Sequence, residues 1–218
     1  MVNRMKLIDR WALMRNTSKE NIAEHSHNVA VIAHALCVIG NKKFGRSYDA
    51  ERCAVLALYH DVTEVITGDM PTPVKYYNDQ IKAVYKEVEK AAGNRLLSML
   101  PKEFQEDYTP FFEYQKSDEP LWKIVKAADR IDALIKCIDE CRTGNSEFEK
   151  AKESQIQIVD AIDMDEVKYF IKKFLPFKYL LDNGYAKVVV NAIFTNVPTI
   201  VTKREFFNPL KIAPSLII

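Results

Sequence analysis

Apolar side chains recur at helical spacing through long stretches of the chain. Ile22, Val29, Ile32, Ala33 and Leu36 line one face of a helix predicted over residues 18–39. Thr17 and Glu20 have the spacing of a capping box ahead of it, and Gly40 is the expected stop. Asp49 is the expected N-cap of a second helix reaching about residue 66. Within it residues 54–59, AVLALY, are apolar nearly all round, the pattern of a helix deep in a domain. Gly68, Pro71 and Pro73 prevent regular helix over residues 67–73. Further helices are predicted over 78–100, where Pro101 ends the pattern, over 102–114 and over 117–141, with one or two more between 145 and 174. The fold class is therefore all-α, a single helical bundle over residues 1–183. Residues 184–218 read differently. Their β-branched stretch 185–203 contains Pro198 and predicts a short hairpin or an irregular packed tail, and the apolar end 214–218 is expected to cover a groove or a partner.

Composition narrows the class. A chain of 218 residues suits one domain and buries enough surface to need no staples. Its apolar content of 48% and charged content of 28% exclude a disordered protein. With 31 basic and 30 acidic residues the net charge is +1, which argues against a nucleic-acid polymer or a membrane surface as the main partner. No apolar run reads as a membrane span, and charges interrupt the opening stretch MVNRMKLIDRWALMRN where a signal sequence needs an apolar run. The expected location is cytoplasmic. Cys37, Cys53, Cys137 and Cys141 lack any CxxC pairing and are expected to be reduced thiols, mostly packed as small apolar groups.

The chemistry concentrates in few residues. Of the four histidines, His25 falls inside the apolar stripe of the first helix, while His27 and His34 share the opposite, solvated face. His60, Asp61 and Glu64 fit within about 100° of arc on a helical wheel, directly after the apolar run. Burying an imidazole and two carboxylates together costs several kcal/mol unless something compensates. A divalent cation is the simplest compensation, since these ligand types suit manganese, iron, cobalt, nickel, copper or zinc. A salt bridge to an arginine is the plainer alternative. On the helix over 117–141, Asp132 projects into the core face and Asp129 sits at its margin, so periodicity does not choose which acid joins the others.

Glu24-His25-Ser26, His60-Asp61 and Asp129 resemble the H…HD…D signature of the HD-domain metal phosphohydrolases. More narrowly, Asp9-Arg10-Trp11, Leu13-Met14-Arg15-Asn16, Tyr59-His60-Asp61, Glu64-Val65, Thr67-Gly68-Asp69 and Pro71-Thr72-Pro73-Val74-Lys75-Tyr76 look like the bacterial 5′-deoxynucleotidases of that superfamily. The resemblance spans about residues 5–180. It implies an all-α, metal-dependent hydrolase that converts deoxyribonucleoside 5′-monophosphates to deoxynucleoside and phosphate. It further implies His25, His60, Asp61 and Asp129 as metal ligands, which selects Asp129 over Asp132, with His25, Asp61 and Asp129 also facing substrate. Glu64 matches the family's catalytic acid, though by position alone it can order or deprotonate a water, return a proton to the leaving oxygen or only hold a metal ligand in place; Arg10 matches the residue that orients the phosphate, and Trp11 the neighbour lining the sugar site. Asp69, Met70, Pro71 and Thr72 match the substrate loop. Activity with cobalt or manganese and a homodimeric state are implied likewise.

Physical chemistry supports these roles. Phosphate monoesters react through a transition state with charge spread over the phosphoryl oxygens, where cations and fixed donors help most. The planar, permanently charged Arg10 can grip a phosphate with two hydrogen bonds. The bulk of Trp11 opposes a ribose 2′-hydroxyl, and a pocket reading sugar and phosphate alone tolerates several bases. No histidine follows His60, and His27 and His34 face away from His25, so one metal ion per site is expected. Two rival readings are an HD-type hydrolase of nucleoside triphosphates or cyclic nucleotides, and a non-catalytic nucleotide-binding module. The scarcity of cations near the motifs argues against a triphosphatase, and the retained Glu64 against a sensor.

Overall fold

The computed structural model describes residues 1–75 and 77–175. Helix α1 (Ile22–Phe44) is the axis of the bundle. Its capping box is Asn21 with Glu24, one turn later than the expected Thr17–Glu20 pair. Thr17 and Ser18 instead turn their backbone N–H groups to a buried carboxylate elsewhere. Nor does Gly40 end the helix. It lies in the core because a Cβ there would sit 2.7 Å from the Tyr48 ring, and Gly45, at φ 65°, caps the C-terminus. On length and a mean hydropathy of 1.2, α1 could cross a membrane, contrary to the sequence expectation, but half of that stretch is buried inside this fold.

Helix α2 (Ala50–Tyr59) starts at Asp49, whose side chain accepts the Arg52 N–H as expected. The predicted continuous helix to residue 66 is broken, however. A turn at residues 60–63 precedes the short α3 (Glu64–Thr67). Its backbone bonds run three residues back, Val62 to Tyr59 and Glu64 to Asp61, which tightens the chain and places residues three apart on one side. The AVLALY run is also less deeply placed than its pattern suggested, because Val55 and Leu58 are exposed while Leu56 and Ala57 are buried. Gly68, at φ 73°, breaks the helix before the single turn α4 (Thr72–Lys75). Helices α5 (Asp79–Ser98), α6 (Lys102–Phe112), α7 (Glu119–Arg142), α8 (Glu149–Asp160) and α9 (Asp165–Phe174) complete the described bundle. The expectations for residues 184–218 lie outside the described residues.

Against α1 pack α2, α7 and α9. Val29, Ala33, Leu36 and Cys37 of α1, Leu56 of α2, Ile124, Ile131 and Leu134 of α7 and Phe170 of α9 are fully buried, each large side chain contributing roughly 1.5–3 kcal/mol. A second cluster, Met5, Ile22, Val62, Val65 and Leu96, clamps the N-terminal segment to the turn after α2. An isolated antiparallel bridge between Asp9 and Asn21 fixes that segment further, with Arg10 N–H donating to the Glu20 carbonyl. The result brings residue 10, the start of α1 and the turn at 60–63 together. All four cysteines are free thiols, three of them buried.

Candidate functional site

His25 is fully buried one turn into α1. Its Nδ1 lies 2.7 Å from Asp132 Oδ2, and its Nε2 lies 3.2 Å from Asp129 Oδ1 and 3.5 Å from Asp61 Oδ2. His60, at the C-terminal end of α2, donates from Nδ1 to the Ala57 carbonyl at 2.7 Å. In the neutral ring that bond fixes the proton on Nδ1 and leaves the lone pair on Nε2, which lies 3.2 Å from Asp61 Oδ2. The two rings stand 5.1 Å apart between centroids. Both Nε2 atoms are buried and make no hydrogen bond among the described residues. One ligand atom from each of His25, His60 and Asp61 falls within 4.8 Å of the others.

Burial alone would drive both imidazoles toward neutrality, yet the carboxylates of Asp129, Asp132 and Asp61 hold His25 well above its ordinary pKa. For His60, too, burial pulls down and Asp61 outweighs it. Burial would raise Asp61, but the His60 and His25 rings hold it well below the usual carboxylate range. Such a pocket asks for positive charge. The donor set of two imidazole nitrogens and carboxylate oxygens is one that a first-row divalent ion accepts.

A second group, Glu20, His25 and Asp132, has ligand-like spacing as well. It already holds a cation. Arg10 Nη1 is 2.7 Å from Glu20 Oε2, 2.8 Å from His25 Nδ1 and 3.9 Å from Asp132 Oδ2, and Arg10 Nη2 is 3.9 Å from Asp129 Oδ1. His27 and His34 are exposed on the far face of α1. Among the described residues, the group of His25, His60 and Asp61 thus lies beside a second group that is occupied by the Arg10 guanidinium.

Glu64 is buried, and its Oε2 has no hydrogen-bond partner among the described residues. Burial first, then the Asp61 and Asp69 carboxylates, push its pKa up to about 9. Asp69 is half-buried and is raised by burial. Met70 and Pro71 are half-buried and Thr72 exposed; the Pro71 carbonyl is spent on the backbone of Val74 and Lys75. Trp11 adopts φ 59°, a strained conformation for a large side chain. Its carbonyl accepts from Met14 N–H at 2.9 Å and Asn16 Nδ2 at 3.2 Å, and its ring leans on Phe148 at 5.4 Å.

Sequence reasoning missed two features. Asp132 touches His25 from behind, a role that the choice between the two acids of α7 did not consider. A cleft of about 500 Å³ also opens from His60, Asp61 and Glu64 toward Tyr59, Phe111, Trp122 and Lys126. Trp122, Lys126 and Asp129 stand at i, i+4 and i+7 on α7, a spacing that marks one shared helix face in the sequence itself.

Residues 1–177 match the family described as YfbR-like 5′-deoxynucleotidases. The chain is 53% identical over 180 residues to 5′-deoxynucleotidase VV1113 of Vibrio vulnificus, covering 82% of this chain and 93% of that protein. An HD-domain phosphohydrolase from Listeria innocua superposes with a TM-score of 0.74 at 26% identity, over 90% of this chain and 96% of that one. A cyanophage S-2L HD phosphohydrolase, described as bound to dA and one catalytic zinc ion, shares the fold at TM-score 0.53 and 19% identity, over 83% of this chain and 94% of that one. With the HD-type bundle, the ordered motifs and these likenesses in agreement, the chain belongs to the YfbR-like 5′-deoxynucleotidase family of phosphoric monoester hydrolases.

Proposed function

We propose that this chain hydrolyses deoxyribonucleoside 5′-monophosphates with one divalent cation per site, prefers deoxyribose to ribose and tolerates several bases. The observation that carries the reading is the convergence of the buried Nε2 atoms of His25 and His60 on Asp61 Oδ2, at 3.5 and 3.2 Å, with neither making a hydrogen bond among the described residues. Buried polar atoms are almost always hydrogen-bonded, so two imidazole nitrogens that converge beside carboxylates support a cation site. His25, His60, Asp61 and Asp129 would hold the ion, with cobalt or manganese preferred. A cation bound there polarises a phosphate oxygen and makes a bound water more acidic.

The chain's own residues supply the rest. Arg10, fixed by Glu20 beside the ligands, orients the phosphate. Glu64, protonated and one short turn beyond His60, stands ready to give its proton to the leaving 5′-oxygen of the sugar. Trp11 crowds the ribose 2′ position, and Asp69 accepts a hydrogen bond from the sugar 3′-hydroxyl, with Met70, Pro71 and Thr72 closing that side. The catalytic domain spans residues 1–183, in a cytoplasmic homodimer.

A phosphate-release screen over deoxy- and ribonucleoside monophosphates and dATP, run with a panel of divalent ions, tests the reading. Release from all four deoxymonophosphates at rates within about tenfold is expected, with ribonucleotides slower and pyrophosphate or triphosphate absent. Triphosphate release from dATP, or a hundredfold preference for one base, overturns it.

A further inference from the structure

Two hydrogen-bonding groups compete for one nitrogen of His25. Asp132 Oδ2 lies 2.7 Å from Nδ1 and Arg10 Nη1 lies 2.8 Å from the same atom. An imidazole that binds a cation through Nε2 is neutral and cannot serve both, because its Nδ1 either carries the ring proton and donates or lacks it and accepts. If Nδ1 accepts from Arg10, the ring proton sits on Nε2, where it faces His60 and Asp61 and blocks a cation. If Nδ1–H donates to Asp132, the Nε2 lone pair is free to bind, and Arg10 no longer has an acceptor at His25. Arg10 keeps Glu20 at 2.7 Å in either case.

We propose that Asp132 is a positioning residue: its carboxylate draws the His25 proton to Nδ1, aims Nε2 at the ion position and keeps the Arg10 guanidinium available for phosphate. Its placement suits that task. Asp132 is buried, lies on α7 one turn beyond the ligand Asp129, and touches His25 on the side away from His60 and Asp61. His60 obtains the same tautomer from a backbone carbonyl, that of Ala57, so the two imidazoles are set by two different acceptors. Only one of these acceptors can be removed by changing a side chain. Carboxylates placed behind metal-binding histidines typically contribute 10–100-fold to metal affinity.

The inference rests on the cation site proposed above, and the test separates the two. Metal-free protein is titrated with Mn²⁺ or Zn²⁺ alone, without nucleotide, for wild type, Asp132→Asn and Asp132→Leu, with thermal melts alongside. Wild type is expected to bind one ion, Asp132→Leu to bind it roughly 10–100-fold more weakly, and Asp132→Asn, which keeps an oxygen acceptor, to fall between them. If wild type binds no ion, the cation site itself fails. If wild type binds and Asp132→Leu binds within about twofold of it, the positioning role fails while the site stands. Should Asp132→Leu not fold, nitrogen-15 spectra of the zinc-loaded wild type decide the matter: a His25 proton on Nδ1 supports the assignment, and a proton on Nε2 overturns it.

Discussion

Helix α7 carries two buried charged clusters separated by a single turn, and they are built on opposite plans. Near its middle, Asp129 and Asp132 face His25 in a pocket where nitrogen lone pairs and a glutamate oxygen lack partners among the described residues. Near its end, Glu140 accepts from Lys136, from the Thr17 and Ser18 backbone N–H groups at 2.8 and 3.1 Å, and from Asn145 Nδ2 at 2.8 Å, while Lys136 also donates to the Ser18 carbonyl. Asn145 Nδ2 bonds the Arg15 carbonyl as well. The second cluster saturates itself and fastens the loop bearing Trp11 to α7. The first leaves His25 Nε2, His60 Nε2 and Glu64 Oε2 without a hydrogen bond among the described residues. Clustered charge in the interior thus has two meanings, and hydrogen-bond satisfaction tells them apart.

Removing a ligand breaks the incomplete cluster most severely. Asp61→Ala is expected to abolish stoichiometric cation binding and to lower kcat/KM by ~10³-fold or more, since several kcal/mol of transition-state stabilisation leave with the ion. Metal analysis of the purified variant beside a phosphate-release assay checks both. Glu64→Ala cuts more finely. Metal content should match wild type while kcat falls by roughly 10²–10⁴-fold, the usual contribution of a positioned proton donor. Unchanged turnover would remove Glu64 from the mechanism.

The saturated cluster predicts the reverse pattern. Glu140→Ala leaves the buried Lys136 ammonium unpaired and is expected to cost about 3–5 kcal/mol of stability in urea unfolding, with cation affinity of the folded protein unchanged. Acid acts on the same carboxyl. Burial alone would raise its pKa, but the bonds from Lys136, Asn145, Thr17 and Ser18 hold it at about 2, below the ordinary 4.5 of the unfolded chain. Its contribution is therefore complete above about pH 5 and drains away as the pH falls from about 4.5 through 2, at most about 3 kcal/mol in all. Glu140→Gln should flatten that part of the stability–pH curve.

Periodicity made the bundle legible because the apolar stripe of α1 needs no knowledge of its neighbours. It placed His25 inward and sent His27 and His34 outward, as the structure does. Boundaries were another matter. The capping box at Asn21 and the turn after Tyr59 depend on where Glu140 and the Met5 cluster hold the chain, and those contacts join residues far apart in sequence. Asp132 shows the same gap within the site. A wheel could point it toward the core but could not say which histidine nitrogen it would meet.

Trp11 is where the two clusters meet, and it carries the smallest expected effect. The saturated cluster holds the loop from behind, Phe148 supports the ring, and the neighbouring Arg10 reaches His25 and Asp129. A residue kept at φ 59° by that many contacts is a position where strain has been accepted in exchange for placement. If the placement serves sugar selection, Trp11→Ala opens room for a 2′-hydroxyl and lowers the ratio of kcat/KM for dAMP over AMP by about tenfold, since apolar walls reject an added hydroxyl by ~10²-fold at most. Cation affinity stays at the wild-type value because no ligand moves. An unaltered ratio would remove Trp11 from sugar selection and leave the strained backbone at residue 11 to serve the placement of Arg10 alone.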